Sequence, residues 1–379
     1  MRNLLISFVI LASFFCSCCT AQVPLDEDEI RFDFGMIEKG IEWLDFINSG
    51  ADDEAIKSFF MAEVAPTGGC QSIIHHWERF MKWDNEEFFS FIMEALGRIP
   101  SDKPTHQEDG TLTMFGQRRK LWKEALGDTG QARSNLEALK KADFALSLNH
   151  AKNFLPAEAK LKADFYIVLF GHSNAFSVGE ENGFDLLQLP RKVDGGVDIE
   201  AVIRLFAHEL HHTGFSSIRD TFISEIKEPE RILLLGILAA EGMPTHFIDE
   251  PSLLQELEDP DLESIRRMEV DDWKKHSALL TDLYRTAEAD IKRNLEGSLS
   301  QKEILEYWMS GAKGAAYVLG ANMFSVIEEY LGLEKAVSVA ADYRDFLTIY
   351  NSAARLGIEK GVDLFLFEEG LAQKLSAYK

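Results

Sequence analysis

The residues best suited to carry out chemistry lie in the run 207–213. His208 and His212 are four residues apart, which on an α-helix puts both imidazoles on one face, about one turn from each other. With Glu209 between them, the segment has the H-E-x-x-H pattern of zinc hydrolases, in which two imidazoles hold the ion. The residue one turn before His211 is Ala207, so we interpret His211 as a bystander or a supporting residue.

These residue types fit a hydrolytic metal centre. Zinc takes neutral imidazole nitrogens at about 2.0–2.1 Å, and with three protein ligands it keeps a fourth position for a water whose pKa falls to about 7. Glu209 is then placed to accept a proton from that water and to pass it to a leaving amine. The alternative is an exported, non-catalytic metal-binding or interaction protein, but such a protein has no need of the Glu209 carboxylate.

A third zinc ligand must come from a more distant part of the sequence. The arrangement H-E-x-x-H-x-x-G-x-x-H is excluded, because the chain has phenylalanine at position 215 and isoleucine at position 218. A downstream carboxylate is therefore required. Glu241 follows the apolar run 232–240 and would be buried without a partner unless it met a cation. Asp249 is the alternative, whereas the acids of residues 220–230 lie in a polar stretch where exposure is expected.

The helix that carries the two histidines has recognisable ends. Asp198 is a natural N-cap and Gly214 a natural C-terminal stop, so we predict a helix between them. A second helix is predicted for the apolar run before Glu241, and Pro244 is expected to kink or end it because proline removes a helical hydrogen bond.

An H-E-x-x-H helix followed by a second helix with Glu241 and Gly242 resembles the gluzincins, the thermolysin- and aminopeptidase-like metallopeptidases. The resemblance is more specific to uncharacterised bacterial zinc-dependent peptidases, through the runs 207–212, 240–247 and 314–323. It implies a Zn²⁺ centre with His208, His212 and Glu241 as ligands and Glu209 as general base. It also implies a peptide or protein substrate, whose backbone would pair with a strand near residues 175–178.

Hydrolysis of an amide develops an oxyanion, which a hydrogen-bond donor opposite the metal stabilises. Tyr317 and His246 are the candidate donors, and Tyr317 is the one we assign as catalytic. Tyr317 stands among the small residues of the run 314–321, which let a helix pack closely beneath a site. A core tyrosine with a satisfied hydroxyl is the alternative interpretation.

The remaining sequence predicts an α+β fold that is mostly helical, with a small sheet beside the zinc-binding helix. Residues 22–157 form a helical N-terminal region, with helices predicted at 52–63, 85–96 and 131–148. Short strands are predicted at 163–170, 175–178 and 184–189, and the last two are separated by turn signals at Gly179, Asn182 and Gly183. Residues 158–379 then form the gluzincin-like catalytic region.

The first residues have the pattern of an export signal. Arg2 precedes the apolar run 4–15 and a stretch of small residues and cysteines, which predicts a signal peptide over residues 1–21. Cleavage after Ala21 and lipid attachment to Cys18 or Cys19 are two alternative processing routes. Either route predicts a bacterial protein that is periplasmic, secreted or an outer-membrane lipoprotein.

Composition excludes some classes of protein. With 46% hydrophobic and 27% charged residues, the 379-residue chain is typical of a folded globular protein. A net charge of −24 argues against a nucleic-acid partner, because phosphate binding needs clustered lysine and arginine. No segment after the signal is predicted to reach the roughly 20 apolar residues that a transmembrane helix needs. Cys70 alone remains in the mature chain, and we predict a small buried residue.

Overall fold

The computed structural model describes residues 29–107, 112–172, 175–178, 180–192, 195–257 and 264–378. Within these residues the chain is mostly helical and has one four-stranded sheet, so the predicted α+β class is confirmed. The predicted signal peptide, with Cys18 and Cys19, lies outside the described residues.

The sheet consists of β1 (Glu29–Asp33), β2 (Lys162–Val168), β3 (Ala175–Val178) and β4 (Glu181–Asp185), in the order β1-β2-β4-β3. Strands β1 and β4 are both parallel to β2, whereas β3 is antiparallel to β4. Strand β1 was not predicted. It is five residues long and its partner is far away in the sequence, so no hairpin turn marks it locally.

The strand predicted at 184–189 is wrong in position, because β4 ends at Asp185. Gly183, interpreted as a turn residue, lies inside the strand. The ring of Phe176 on the neighbouring strand fills the space above it, where an added Cβ would be 2.1 Å from the ring. This glycine is therefore required for packing and marks no turn.

Seven helices of the described residues precede β2. They are α1 (Gly35–Asn48), α2 (Asp53–Phe59), α3 (Gly68–Met81), α4 (Asn85–Leu96), α5 (Met114–Gly127), α6 (Thr129–Lys140) and α7 (Ala145–Lys152), with a π-helical turn at Phe60–Val64. The prediction for 85–96 is confirmed by α4. The single helix predicted at 131–148 is wrong, since residues 141–144 separate α6 from α7.

After the sheet, the part of the chain that the structure describes has ten helices. They are α8 (Ile199–Ile223), α9 (Leu233–Pro244), α10 (Glu250–Glu256), α11 (Ser264–Ala278), α12 (Leu280–Glu296), α13 (Gln301–Trp308), α14 (Ala315–Leu331), α15 (Leu333–Ala341), α16 (Phe346–Glu359) and α17 (Glu369–Ser376). A π-helical turn, Thr245–Asp249, joins α9 to α10, and 3₁₀ turns lie at Pro229–Ile232 and Tyr343–Asp345.

Helix α8 contributes to two hydrophobic cores. Its first half packs on the sheet, where the Phe206 ring lies 5.3 Å from that of Phe165 and 3.9 Å from that of Phe184. Its second half, with Phe215 and Phe222, packs among the C-terminal helices. Residues 208–212 therefore lie where the two cores meet. The boundary predicted between residues 157 and 158 remains a prediction.

The start of α8 is confirmed, because the Asp198 side chain accepts hydrogen bonds from the backbone N–H groups of Glu200 and Ala201. The predicted end at Gly214 is wrong, and the helix continues to Ile223. A Cβ on Gly214 would be 2.3 Å from Leu155 Cδ1. Gly214 thus lets another part of the chain approach the helix.

Helix α9 is a core helix that is buried on every side. Among the described residues, the 21-residue run Pro229–Asp249 is the one long and apolar enough to cross a membrane. Of its 18-residue apolar stretch, 83% is buried inside the protein. Pro244 is the last residue of α9, so the α-helix ends there as expected. The chain continues through the π-helical turn Thr245–Asp249.

Candidate metal centre

Three helices bring the predicted site residues together. His208, Glu209 and His212 come from α8, Glu241 comes from α9 and Tyr317 from the first turn of α14. All are buried except His212, which is slightly more exposed. Buried polar residues on adjoining core helices need partners, so their grouping indicates a built site.

The distances between the donor atoms suit a metal ion. Glu241 Oε2 lies 3.6 Å from His208 Nε2 and 3.4 Å from His212 Nε2. One donor atom from each of the three residues lies within 4.8 Å of the others. Zinc ligands at about 2.0–2.1 Å in a tetrahedron are about 3.4 Å from each other. The spacing therefore fits zinc with two imidazoles and one carboxylate.

The hydrogen bonding of these side chains also fits a metal. Both oxygens of Glu241 and both ring nitrogens of His212 are buried and have no hydrogen-bond partner in the described part of the chain. An unsatisfied buried polar group costs about 1–3 kcal/mol, and more when it is charged. A bound cation would satisfy several of these atoms at once.

Behind His208 lies Asp249, the alternative ligand. Its Oδ2 atom is 3.0 Å from His208 Nδ1, in a contact that is short but not aligned as a hydrogen bond. Because Glu241 faces the other ring nitrogen, Asp249 supports the imidazole from behind, on the side away from the donor cluster. Burial opposes protonation of His208, but the Asp249 charge outweighs it and raises the pKa of His208 to about 10 in the metal-free protein.

Asp249 in turn contacts a buried lysine. Lys313 Nζ lies 2.6 Å from Asp249 Oδ2. Burial alone would raise the pKa of Asp249, but Lys313 and His208 together hold it well below its usual range. Sequence reasoning missed Lys313. The signal available was a single cation in the small-residue run 311–316, directly before an apolar helix.

Glu209 has the properties of a proton acceptor held out of water. Its Oε2 atom is buried and has no hydrogen-bond partner among the described residues. Burial raises the pKa of Glu209, while the neighbouring His212 and His208 oppose that rise. A carboxylate with a raised pKa is a stronger base than a solvent-exposed one.

Tyr317 faces the same cluster from α14. Burial, followed by the charges of Glu241 and Glu209, raises the pKa of Tyr317 well above 10. Its hydroxyl therefore keeps its proton at neutral pH and is able to donate a hydrogen bond. The Lys313 ammonium lies 4.8 Å from the centre of the Tyr317 ring.

Two other histidines considered from the sequence are engaged elsewhere. His246 contacts Glu250 through Nδ1 at 2.7 Å and Glu328 through Nε2 at 2.8 Å, so both ring nitrogens are taken and neither is available to an oxyanion. His211 Nε2 lies 3.1 Å from the carbonyl oxygen of Phe154, and burial lowers the pKa of His211 to about 3. His211 is thus neutral and supports the packing of α8.

Cys70 is a free, buried cysteine, as predicted. Burial raises the pKa of its thiol to about 12. A thiol with so high a pKa is a poor nucleophile at neutral pH, which separates Cys70 from the chemistry of the cluster.

Comparison with known families gives one match. The model of a family described as "Putative zinc dependent peptidase (DUF5700)" matches residues 64–357, more than three quarters of the chain. The matched region contains every residue of the donor cluster, together with Glu209, Asp249, Lys313 and Tyr317. No curated protein and no solved structure matches the chain.

Proposed function

The chain belongs to this family of zinc-dependent peptidases, and we propose that it is an exported gluzincin-type metallopeptidase that uses Glu209 as its general base. The observation that carries the proposal is the approach of His208 Nε2, His212 Nε2 and Glu241 Oε2 around one point, where the His212 and Glu241 atoms are buried and lack hydrogen-bond partners among the described residues. Glu209 adjoins this point on α8, which a site built only to hold a metal would not require.

In this proposal His208, His212 and Glu241 hold the zinc ion. When bound, zinc supplies a Lewis acid for the scissile carbonyl and lowers the pKa of a water molecule. Glu209 accepts a proton at its unpartnered Oε2 atom and returns it to the leaving amine. The Tyr317 hydroxyl donates a hydrogen bond to the oxygen that becomes negative in the transition state.

The substrate is a peptide or a protein. Strand β3 is one of the two edge strands of the described sheet and runs antiparallel to β4. An extended peptide can add to such an edge through its backbone groups. We propose that the substrate backbone pairs with Ala175–Val178 as it enters the site.

Export is proposed from the sequence of residues 1–21. The mature chain is then periplasmic, secreted or held at the outer membrane by a lipid on Cys18 or Cys19. Mass spectrometry of the native protein should give an N-terminus between Cys18 and Gln22, with an acyl mass if a cysteine is lipidated. A full-length cytosolic product would contradict export and leave the peptidase proposal intact.

The catalytic proposal is tested with Glu209→Gln in the mature chain. The variant should fold and bind zinc like the wild type, while its cleavage of a peptide library falls by at least about 10²-fold. Glu200→Gln is the matched control, because it is the same substitution on an exposed position of α8. If Glu209→Gln cleaved like the wild type, the assignment of the base would be wrong.

The same measurements of zinc binding and peptide cleavage distinguish a peptidase from the alternative, a non-catalytic metal-binding protein. A wild-type chain that binds zinc stoichiometrically and cleaves no peptide in a broad library would identify a non-catalytic metal-binding protein. A wild-type chain that neither binds zinc nor cleaves peptides would contradict both functions.

A further inference from the structure

We propose that Lys313 is a positioning residue of the metal centre, which holds Asp249 against His208 so that His208 Nε2 points toward Glu241. The inference rests on the proposed zinc site and extends it to a residue outside the ligand set. Lys313 approaches from the loop between α13 and α14, Asp249 lies in the turn after α9 and His208 lies on α8. The contacts from Lys313 to Asp249 and from Asp249 to His208 therefore join three separate elements of the fold.

The contacts are short and share one oxygen. Asp249 Oδ2 is 2.6 Å from Lys313 Nζ and 3.0 Å from His208 Nδ1. An oxygen held by a buried ammonium has little freedom to rotate away from the ring. The negative charge of a carboxylate behind a histidine ligand favours the proton on the facing ring nitrogen, and so leaves the opposite nitrogen free to bind metal.

The charges of the buried groups point the same way. Three carboxylates, Glu209, Glu241 and Asp249, meet one ammonium, Lys313. Glu209, Glu241 and Lys313 are buried, and the Asp249 side chain is 13% exposed. When both histidines are neutral, as metal binding requires, two negative charges remain, which a divalent cation balances. The nearby Arg266 and Glu269 pair with each other. Without the Lys313 charge, three carboxylates would share one divalent ion.

The loop that carries Lys313 is itself fixed. The backbone N–H groups of Ala312 and Lys313 donate to Asp272 Oδ2 on α11, at 2.7 and 3.3 Å. Gly311 has a φ of +93°, and a Cβ there would be 2.5 Å from the same oxygen. Hydrogen bonds to α11 therefore hold the loop that carries Lys313 in place. A residue that positions another side chain needs such a rigid support.

The test measures zinc affinity directly, by competition with a chromophoric chelator on the metal-free mature chain. Lys313→Met should weaken zinc binding by about 10- to 100-fold, and Lys313→Arg should recover part of that loss because it keeps the charge. Lys302→Met, on an exposed residue of α13, is the matched control and should bind zinc like the wild type. Circular dichroism of the metal-free proteins checks the fold of each variant.

A double-mutant cycle separates positioning from general stability. If Lys313 acts through Asp249, Lys313→Met should change zinc affinity little in an Asp249→Asn background. The Co²⁺-substituted protein gives a second reading, because a reoriented His208 shifts its visible absorption bands, which a loss of stability alone would not. Asp249→Asn preserves the size of the side chain, and should itself weaken zinc binding by about 10-fold or more if Lys313→Met does not fold.

These experiments distinguish failure of the role proposed for Lys313 from failure of the proposed zinc site. A wild-type chain that binds zinc, together with unchanged affinity in folded Lys313→Met or in Asp249→Asn, would overturn the role of Lys313 alone. Additive losses in the cycle would also overturn it. A wild-type chain that does not bind zinc would overturn the metal site and, with it, this inference.

Discussion

The backbones of Gly242 and Gly320 touch where α9 crosses α14. A Cβ on Gly242 would lie 2.4 Å from the carbonyl carbon of Gly320, and a Cβ on Gly320 would lie 2.3 Å from the carbonyl oxygen of Leu238. Glu241 directly precedes Gly242, and Tyr317 lies one turn before Gly320. The crossing of the two glycines therefore sets how closely Glu241, the proposed third ligand, and Tyr317 approach each other.

Gly320→Ala should push α14 away from α9. Overpacking of this kind lowers the free energy of unfolding by about 1–3 kcal/mol, and the displaced helices should weaken zinc binding as well. Urea unfolding of the metal-free protein and a zinc titration measure the two effects. Gly127→Ala is the matched control, because nothing lies within 4 Å of its added Cβ. Equal unfolding free energies for Gly320→Ala and the wild type would show that the crossing tolerates a methyl group.

The sequence was most informative where residues act locally. The N-cap at Asp198, the i,i+4 histidines and the apolar helix before Glu241 are all patterns of neighbouring residues, and the structure groups these side chains. It was misleading at Gly183 and Gly214, which were interpreted as a turn and a helix end. Both glycines make room for side chains that are remote in sequence or on another strand. The local sequence around each glycine does not indicate these contacts.

The same reasoning explains why Lys313 and strand β1 were missed. Lys313 and Asp249 are 64 positions apart, and nothing in the local sequence of either one indicates the other. Strand β1 pairs with β2 across the whole N-terminal half. Long-range pairs of this kind depend on the tertiary fold, which local periodicity does not determine.

Glu241 and Asp249 should differ in how strongly they affect zinc affinity. Glu241→Ala removes a direct donor to the metal and should abolish measurable zinc binding, whereas Asp249→Asn should weaken it by about 10- to 100-fold. Isothermal titration with zinc, on folded metal-free variants, measures both. If Asp249→Asn lost all zinc while Glu241→Ala kept it, Asp249 would be the ligand and the gluzincin-type assignment would be wrong.

His172 should make the protein sensitive to acid. Its Nδ1 accepts a hydrogen bond from Arg118 at 2.9 Å, and burial, followed by the Arg118 charge, lowers the pKa of His172 to about 3. In the unfolded chain a histidine takes up a proton near pH 6.5. The unfolded state therefore binds more protons between these values, and the free energy of unfolding falls as the pH falls from about 6.5 toward 3.

For one histidine the slope within this window is up to about 1.4 kcal/mol per pH unit. His172→Asn keeps an acceptor for Arg118 but cannot titrate, so the pH dependence of its unfolding free energy should be shallower than that of the wild type by about this amount. Urea unfolding between pH 4 and 7 gives the slope. An unchanged slope in His172→Asn would show that this histidine takes up its proton at the same pH in the folded and the unfolded chain.

Tyr317→Phe tests the proposed oxyanion donor. The phenylalanine ring fills the same space in α14, so the fold and the zinc affinity should be preserved. Only the hydroxyl is lost, and a donor that acts in the transition state contributes more to kcat than to KM. We expect kcat to fall by about 10- to 10³-fold with KM within a few-fold of the wild type. Tyr284→Phe, which removes a buried hydroxyl bonded to Asn322 among the C-terminal helices, is the matched control and should keep its kcat. A Tyr317→Phe protein with wild-type kcat would make Tyr317 a core residue, and the oxyanion would then need another donor.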